Sequence, residues 1–338
     1  MYPLVSVIMP VYNGDKYVAQ AIESILDQTF MNFELLILND GSTDHTEEEV
    51  QRFDDNRIRY IRHASNEGLI NTLNEGIQKA YGEFIARMDA DDIALPDRLF
   101  RQVEFLLRHP DHALCASSYV VMNKTGRLRH SVSLPEADEG IRTLLFFGNC
   151  ICHSSVMFRK KALEGEGYRT SFLWCEDYEL WTRLSAWHKM AIIPEPLVRY
   201  RIHGSNVSIK NRKEMLSNVS RISANQLERM GIAYGREDFL LHHAFLSYNV
   251  EYIRKVGFNQ LQRWLVRLGY AFNRSRNGDG RLAEKVIIRR WVSLCIKGGA
   301  FRNLFVNPFV KKDTRFYVYC FAEKIRDRLL SRINAYDF

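Results

Sequence analysis

Three carboxylates within four residues, Asp89, Asp91 and Asp92, are the strongest chemical signal in this 338-residue chain. Like charges this close repel, and a bound cation relieves the repulsion. Oxygen donors select a hard ion, Mg2+ or Mn2+, which typically takes one or two carboxylates and fills its shell with substrate phosphates and water. The competing reading is a solvated acidic loop ahead of the helix that Pro96 opens. Asp40 precedes Gly41 and can accept hydrogen bonds from a base N–H or a ribose hydroxyl, although Asn39-Asp40-Gly41-Ser42 is also a good turn. Glu176-Asp177 opens a helix, where a carboxylate can take a proton from an attacking hydroxyl or serve the helix terminus. His203 follows a strand and can ligate a metal, meet a phosphate or be structural. His153, ahead of Ser154-Ser155, is a weaker site of the same kind.

These residues need elements to hold them. Val5–Val11 is a continuous apolar run, the pattern of a strand buried on both faces. Tyr17–Leu26 has helical spacing. Phe33–Leu38 is a second buried strand, ending in the turn at Asn39, after which Ser42 or Thr43 can cap a helix. Ile58–Ile61 reads as a third strand, Leu69–Ala80 as a helix, Phe84–Met88 as a fourth strand and 97–107 as a helix. Strands alternating with such helices predict an α/β fold with a mostly parallel sheet flanked by helices. In such a sheet, ligands sit beyond the carboxyl ends of the strands. Tyr12-Asn13-Gly14, Asn39-Asp40 and Asp89 to Asp92 all fall there, which makes a nucleotide site the expectation. Further on, 176–186 reads as a helix, 191–193 and 197–202 as short strands, and 212–230, 237–256, 260–274, 282–297 and 316–332 as helices.

Composition is that of a globular protein, with 46% hydrophobic and 26% charged residues. The net charge of +7 divides unevenly. Residues 1–203 carry 22 Lys+Arg against 29 Asp+Glu, net −7, and residues 204–338 carry 25 against 11, net +14. An acidic first part and a basic second part suggest two jobs. The six cysteines are scattered, with no zinc-knuckle spacing, and are expected to be reduced thiols. The start lacks a basic segment and a cleavage site, and no apolar run reaches about 18 residues. A cytoplasmic protein, peripheral at the inner face of the cell membrane, is the expectation.

Several motifs occur in order: Pro10-Val11-Tyr12-Asn13-Gly14, Asn39-Asp40-Gly41-Ser42-Thr43-Asp44, Ala86-Arg87-Met88-Asp89-Ala90-Asp91-Asp92 with Pro96-Asp97-Arg98-Leu99, Glu176-Asp177-Tyr178-Glu179-Leu180-Trp181, and Tyr200-Arg201-Ile202-His203. Together they resemble bacterial family 2 glycosyltransferases of the GT-A fold, over about residues 3–208. The resemblance implies a GT-A catalytic domain at 1–208 and a separate basic helical region at 209–338. It implies donor contacts at Pro10, Val11, Tyr12, Asp40, Arg87 and Asp89. It makes Asp91 the main ligand of Mn2+ or Mg2+, with Asp89, Asp92 and His203 nearby. Asp177 would be the general base, with Glu176 its neighbour in the acceptor pocket. The implied reaction is inverting transfer from a nucleotide-diphosphate sugar, UDP-sugar by default, to a saccharide or polyprenyl-linked acceptor. No apolar run is long enough to span a membrane, which argues against a processive polymer synthase.

In the second part, Lys285, Arg289, Ser293 and Lys297 form a polar stripe against Val286, Ile287, Trp291 and Leu294. Arg263, Arg267 and Arg274 do the same beside Trp264 and Leu268. Basic amphipathic helices suit an anionic membrane surface, or else pack on a neighbour and leave solvated cations. A nucleic-acid-binding role lacks any recognisable motif. A sugar nucleotidyltransferase would need a Gly-rich phosphate loop where Tyr12-Asn13-Gly14-Asp15 stands.

Overall fold

The computed structural model describes residues 2–203, 212–275, 278–305, 307–309 and 313–333. Chain contacts divide it into two compact units, one of residues 1–141 and 149–218, the other of 142–148 and 219 onward. The expected boundary at 208/209 falls outside the described residues.

The first unit is built on a nine-stranded sheet. Its strands are β1 (Val5–Val11), β2 (Phe33–Asn39), β3 (Ile58–Arg62), β4 (Phe84–Arg87), β5 (Ile93–Ala94), β6 (His112–Asn123), β7 (Leu128–Val132), β8 (Met157–Arg159) and β9 (Lys189–Ile202). They lie in the order β3-β2-β1-β4-β8-β6-β9-β5, with β7 beside β6. The β3-β2-β1-β4 half is parallel, and β8 runs against both β4 and β6. Every residue of β1 and β2 is buried, because helices cover both sheet faces as the unbroken apolar runs require. The helices of this unit are α1 (Val18–Leu26), α2 (Thr46–Gln51), α3 (Leu69–Lys79), α4 (Arg98–Arg108), the start of α5 (Asp138–Phe147) and α6 (Glu176–Leu184).

Register aligns the strand ends that carry the polar motifs. Val11 lies opposite Asn39 in the β1–β2 pair, and Ile8 opposite Arg87 in the β1–β4 pair. The buried Arg98 then anchors the acidic segment from behind. Its guanidinium donates to the carbonyls of Arg87 (2.7 Å) and Val156 (3.2 Å), and burial drops its pKa to about 10.

Three local expectations change. The two short strands at 191–193 and 197–202 are one long strand, β9, which stays paired with β6 across Pro194-Glu195-Pro196 through register shifts at Ser117 and Ser118. The helix after the Asp40 turn is not capped by Ser42 or Thr43. Asp44 takes the Thr46 N–H at 3.0 Å, while Ser42 Oγ accepts from the Asn13 N–H at 2.9 Å. Residues 237–256 form two helices, because Tyr248 turns left-handed (φ +56°) and the Asn249 side chain caps the second.

The second unit is helical: the later turns of α7 (Arg212–Arg229), then α8 (Arg236–Ser247), α9 (Val250–Val256), α10 (Phe258–Arg274), α11 (Gly280–Gly298) and α12 (Thr314–Ile333). Its core holds Phe146, Phe245, Trp264, Leu268, Ile287 and Trp291. The apolar faces of α10 and α11 are therefore interior. Ser293, placed in the polar stripe by spacing, is buried, while Lys285, Arg289 and Lys297 stay exposed. Arg289 pairs with Glu323 at 2.8 Å, Lys285 sits over the Phe316 ring, and Lys297 over that of Tyr248. All six cysteines are free thiols. Among the described residues no helix is long and apolar enough to cross a membrane.

Candidate functional site

The site begins where β1 and β2 end. Asn13 is left-handed (φ +51°), and its Oδ1 accepts from the Thr43 N–H at 2.8 Å. Gly14 N–H donates to Thr46 Oγ1 at 2.8 Å and Asp15 N–H to Asp44 Oδ2 at 3.1 Å. The two loops are thus stapled into one rim. Gly41 (φ +70°) is needed in this rim, since a Cβ there would lie 2.5 Å from the Ser65 carbonyl carbon. Of the three expected base-pocket residues, Pro10 and Val11 are buried strand residues and Tyr12 is 50% exposed.

Asp40 lies beside this rim with only 5% of its side chain exposed. Its Oδ1 accepts from His63 Nδ1 (2.9 Å) and from the Glu67 N–H (2.8 Å), and its Oδ2 from the Gly68 N–H (3.0 Å). The carboxylate therefore holds the entrance of α3, while the Asp40 backbone N–H donates to the Val11 carbonyl at 2.8 Å.

The acidic cluster follows β4. One ligand atom from each of Asp89, Asp91 and Asp92 lies within 4.8 Å of the others. Asp89 pairs with the buried Arg87 and accepts from Ser154 Oγ at 2.8 Å. Asp91 Oδ2 lies 2.7 Å from His203 Nε2, so β9 delivers the histidine to the cluster. Asp92 is buried; Oδ1 accepts from the Arg201 N–H at 2.7 Å, and Oδ2 has no hydrogen-bond partner. Burial first, then the neighbouring carboxylates, raise the pKa of Asp91 and lift Asp92 well above the carboxylate range. For Arg87, burial opposes the charge, but Asp89 outweighs it and holds the guanidinium above its usual value.

A divalent cation fits this donor set. It has three carboxylates and one imidazole, a buried carboxylate oxygen without a partner, and negative charge that the protein leaves incompletely balanced. Hard-ion oxygen chemistry suits Mg2+ or Mn2+, and an imidazole ligand favours Mn2+ of the two.

The acidic pair at the start of α6 belongs to the same field. Asp177 Oδ2 accepts from Asn149 Nδ2 and Oδ1 from the Tyr178 N–H, both at 2.6 Å. Burial raises its pKa, Arg87 lowers it and Asp89 raises it. Glu176 is 6% exposed, and burial followed by the Asp177 charge pushes it up to about 7. Its Oε2 has no hydrogen-bond partner. Trp174, just ahead of this pair, is left-handed (φ +68°), a conformation that costs about 1–3 kcal/mol in a non-glycine residue and is common at functional sites. His153 is held by Tyr168 Oη at 2.8 Å, and burial, then Arg87, hold its pKa well below the usual value.

Sequence reasoning missed four residues here. Ser154 links Arg87 to Asp89, Asn149 orients Asp177, and Arg201 donates its Nε–H to the Asp91 carbonyl at 2.6 Å. Tyr17 stacks on both Arg201 and His203. Arg201 lies within Tyr200-Arg201-Ile202-His203, yet nothing in the spacing gives it a role. The polar pair Ser154-Ser155 in an apolar stretch was the one hint of Ser154.

The Glycosyl transferase family 2 profile matches residues 6–166. An uncharacterized glycosyltransferase of Haemophilus influenzae is 32% identical over 249 residues, 69% of this chain and 74% of the relative. The O-antigen biosynthesis glycosyltransferase WbnJ of Escherichia coli is 33% identical over 213 residues, 60% of this chain and 81% of the relative. The structure of S. aureus TarS 1–349 in complex with UDP-GlcNAc is similar in fold, with TM-score 0.58, 16% identity, and coverage of 97% of this chain and 92% of that one. So is the mannosyltransferase PcManGT from Pyrobaculum calidifontis in complex with GDP-Man and Mn2+, with TM-score 0.55, 17% identity, and coverage of 96% and 87%. With these relatives and a GT-A sheet carrying its acidic cluster at the end of β4, the chain belongs to glycosyltransferase family 2.

Proposed function

We propose that this glycosyltransferase moves a sugar from a UDP-sugar, with inversion, to a hydroxyl of a saccharide or lipid-linked saccharide acceptor during surface polysaccharide assembly. The observation that carries the reading is the convergence of Asp89, Asp91 and Asp92 at the end of β4. Asp91 and His203 would hold a divalent cation with Asp89, and Asp92 would add its unpartnered Oδ2. A cation bound there supplies positive charge against the leaving diphosphate. Tyr12 and the rim at Pro10-Val11 take the base, with Asp40 and Arg87 on the nucleotide side. Asp177, oriented by Asn149 and with its proton affinity raised by burial, accepts the proton of the acceptor hydroxyl as the new bond forms. Glu176 lines the acceptor side beside it. A single base opposite the leaving group gives inversion at the anomeric carbon.

Relatives named for O-antigen and amylovoran biosynthesis support the polysaccharide setting, and TarS with UDP-GlcNAc supports the UDP-sugar. The basic second part would rest on an anionic membrane surface at the cytoplasmic face, where polyprenyl-linked acceptors are held; no nucleic acid is involved. A panel of nucleotide sugars, offered with a membrane-lipid extract and assayed for released nucleoside diphosphate, tests the reading. UDP release that needs both extract and Mn2+ is expected. Pyrophosphate release, or turnover with GDP-sugars alone, overturns it.

A further inference from the structure

We infer that His63, carried as an imidazolium, is a positioning residue for donor binding that locks the Asp40 loop onto α3. The inference rests on the nucleotide role proposed for Asp40.

His63 follows β3, and its N–H donates to the Asn39 carbonyl at 2.9 Å. Its Nδ1 lies 2.9 Å from Asp40 Oδ1 and its Nε2 2.5 Å from Glu75 Oε2 on α3. Both carboxylates accept only, so both ring nitrogens must donate. A neutral imidazole has one N–H, and only the charged ring satisfies both contacts. The side chain is 6% exposed, and little water can substitute for a lost partner. Three acidic groups face the ring: Asp40 from the end of β2, Glu75 from α3, and Glu67 from the intervening loop. Lys79 lies 3.6 Å from the other oxygen of Glu75. Burial opposes the ring's charge, but the bonds to Asp40 and Glu75 outweigh it and raise the pKa above 6.5. The sign follows: the clamp is complete at low pH and is lost as pH rises through the raised value. Losing that proton sets a ring lone pair against one of the two carboxylates and breaks the link between Asp40 and α3.

The test is UDP binding by calorimetry with Mg2+, from about pH 6 to about pH 8.5, around the region where histidines titrate. Wild type should lose affinity as pH rises, by about tenfold, the lower end of what removing a partner that orients a ligand costs. Glu75→Gln removes one carboxylate with little change of shape and should move this loss to lower pH. His63→Gln should bind weakly with a flat profile. Superimposed wild-type and Glu75→Gln profiles would overturn the inference, and the Glu75→Gln arm stands even where His63→Gln fails to fold. Asp40→Asn separates the two ideas. Wild-type UDP affinity in that variant removes the nucleotide role of Asp40, and the pH dependence of melting in wild type against Glu75→Gln still reads the clamp.

Discussion

Replacing Ser154 by alanine removes one hydroxyl that holds the acidic cluster without touching substrate. Ser154 Oγ donates to Asp89 Oδ2 at 2.8 Å and accepts from the Asp89 N–H and from Arg87 Nη1, both at 3.1 Å. Ser154 and Arg87 are both buried. Arg87 keeps its direct pair with Asp89, so the guanidinium is not orphaned. The Asp89 N–H is, at about 1–3 kcal/mol, and the charge-assisted bond to the carboxylate is lost on top. The terms are not additive, and a net loss of roughly 2–3 kcal/mol is expected. At about 2–4 °C per kcal/mol for a protein of this size, melting should fall by roughly 4–12 °C. Freed to rotate, Asp89 should weaken metal-dependent nucleotide binding by about 10- to 100-fold, as for other residues that orient metal ligands. Scanning calorimetry gives the first number and Mn2+-dependent UDP titration the second. UDP affinity within about twofold of wild type, beside a lowered melting temperature, would refute the positioning role and leave Ser154 a packing residue.

Asp177→Asn keeps the bond geometry at Asn149 nearly isosteric but cannot take a proton; transfer should drop by about 10²- to 10⁴-fold with UDP affinity unchanged, and wild-type-like turnover would end its assignment as base. His242 is fully buried among Phe146 and Trp264, and burial drops its pKa to about 3. Its folded value lies below the unfolded 6.5, so stability is present above that pH and is lost as pH falls toward 3, by up to roughly 1.4 kcal/mol per unit. Urea midpoints at neutral and mildly acidic pH should show this slope in wild type and a smaller one in His242→Gln; equal slopes would contradict it. The basic second part should make the protein float with anionic vesicles in preference to neutral ones, increasingly so at low salt, and equal flotation would count against a membrane-facing role.

Much of the first unit was legible because its cues are local. Unbroken apolar runs at Val5–Val11 and Phe33–Leu38 can only be strands covered on both faces, and the polar residues that stop them must then gather at one sheet edge. That reasoning already brought Tyr12, Asp40 and the Asp89–Asp92 cluster together. Antiparallel insertion was invisible. β8 has three residues, too few for any periodicity, yet it alone bridges β4 to β6 and brings in Ser154. β9 looked like two strands because Pro194 and Pro196 break its pattern, while pairing with β6 overrides the break. Spacing shows α10 and α11 to be amphipathic, though it puts the buried Ser293 on the polar stripe, and amphipathicity does not say what covers an apolar face; here it is the unit's own core. Residue types and order therefore determined that this chain has an acidic cluster at a strand end and a carboxylate pair opening a helix. Only the tertiary structure decided which partners those carboxylates have: His203 on Asp91, Ser154 and Arg87 on Asp89, Asn149 on Asp177, and His63 on Asp40. Apart from Arg87 and Asp89, which are near neighbours in the chain, each pair joins residues more than twenty positions apart, and hydrogen-bond geometry between such residues is set by sheet register and packing, which no local pattern encodes.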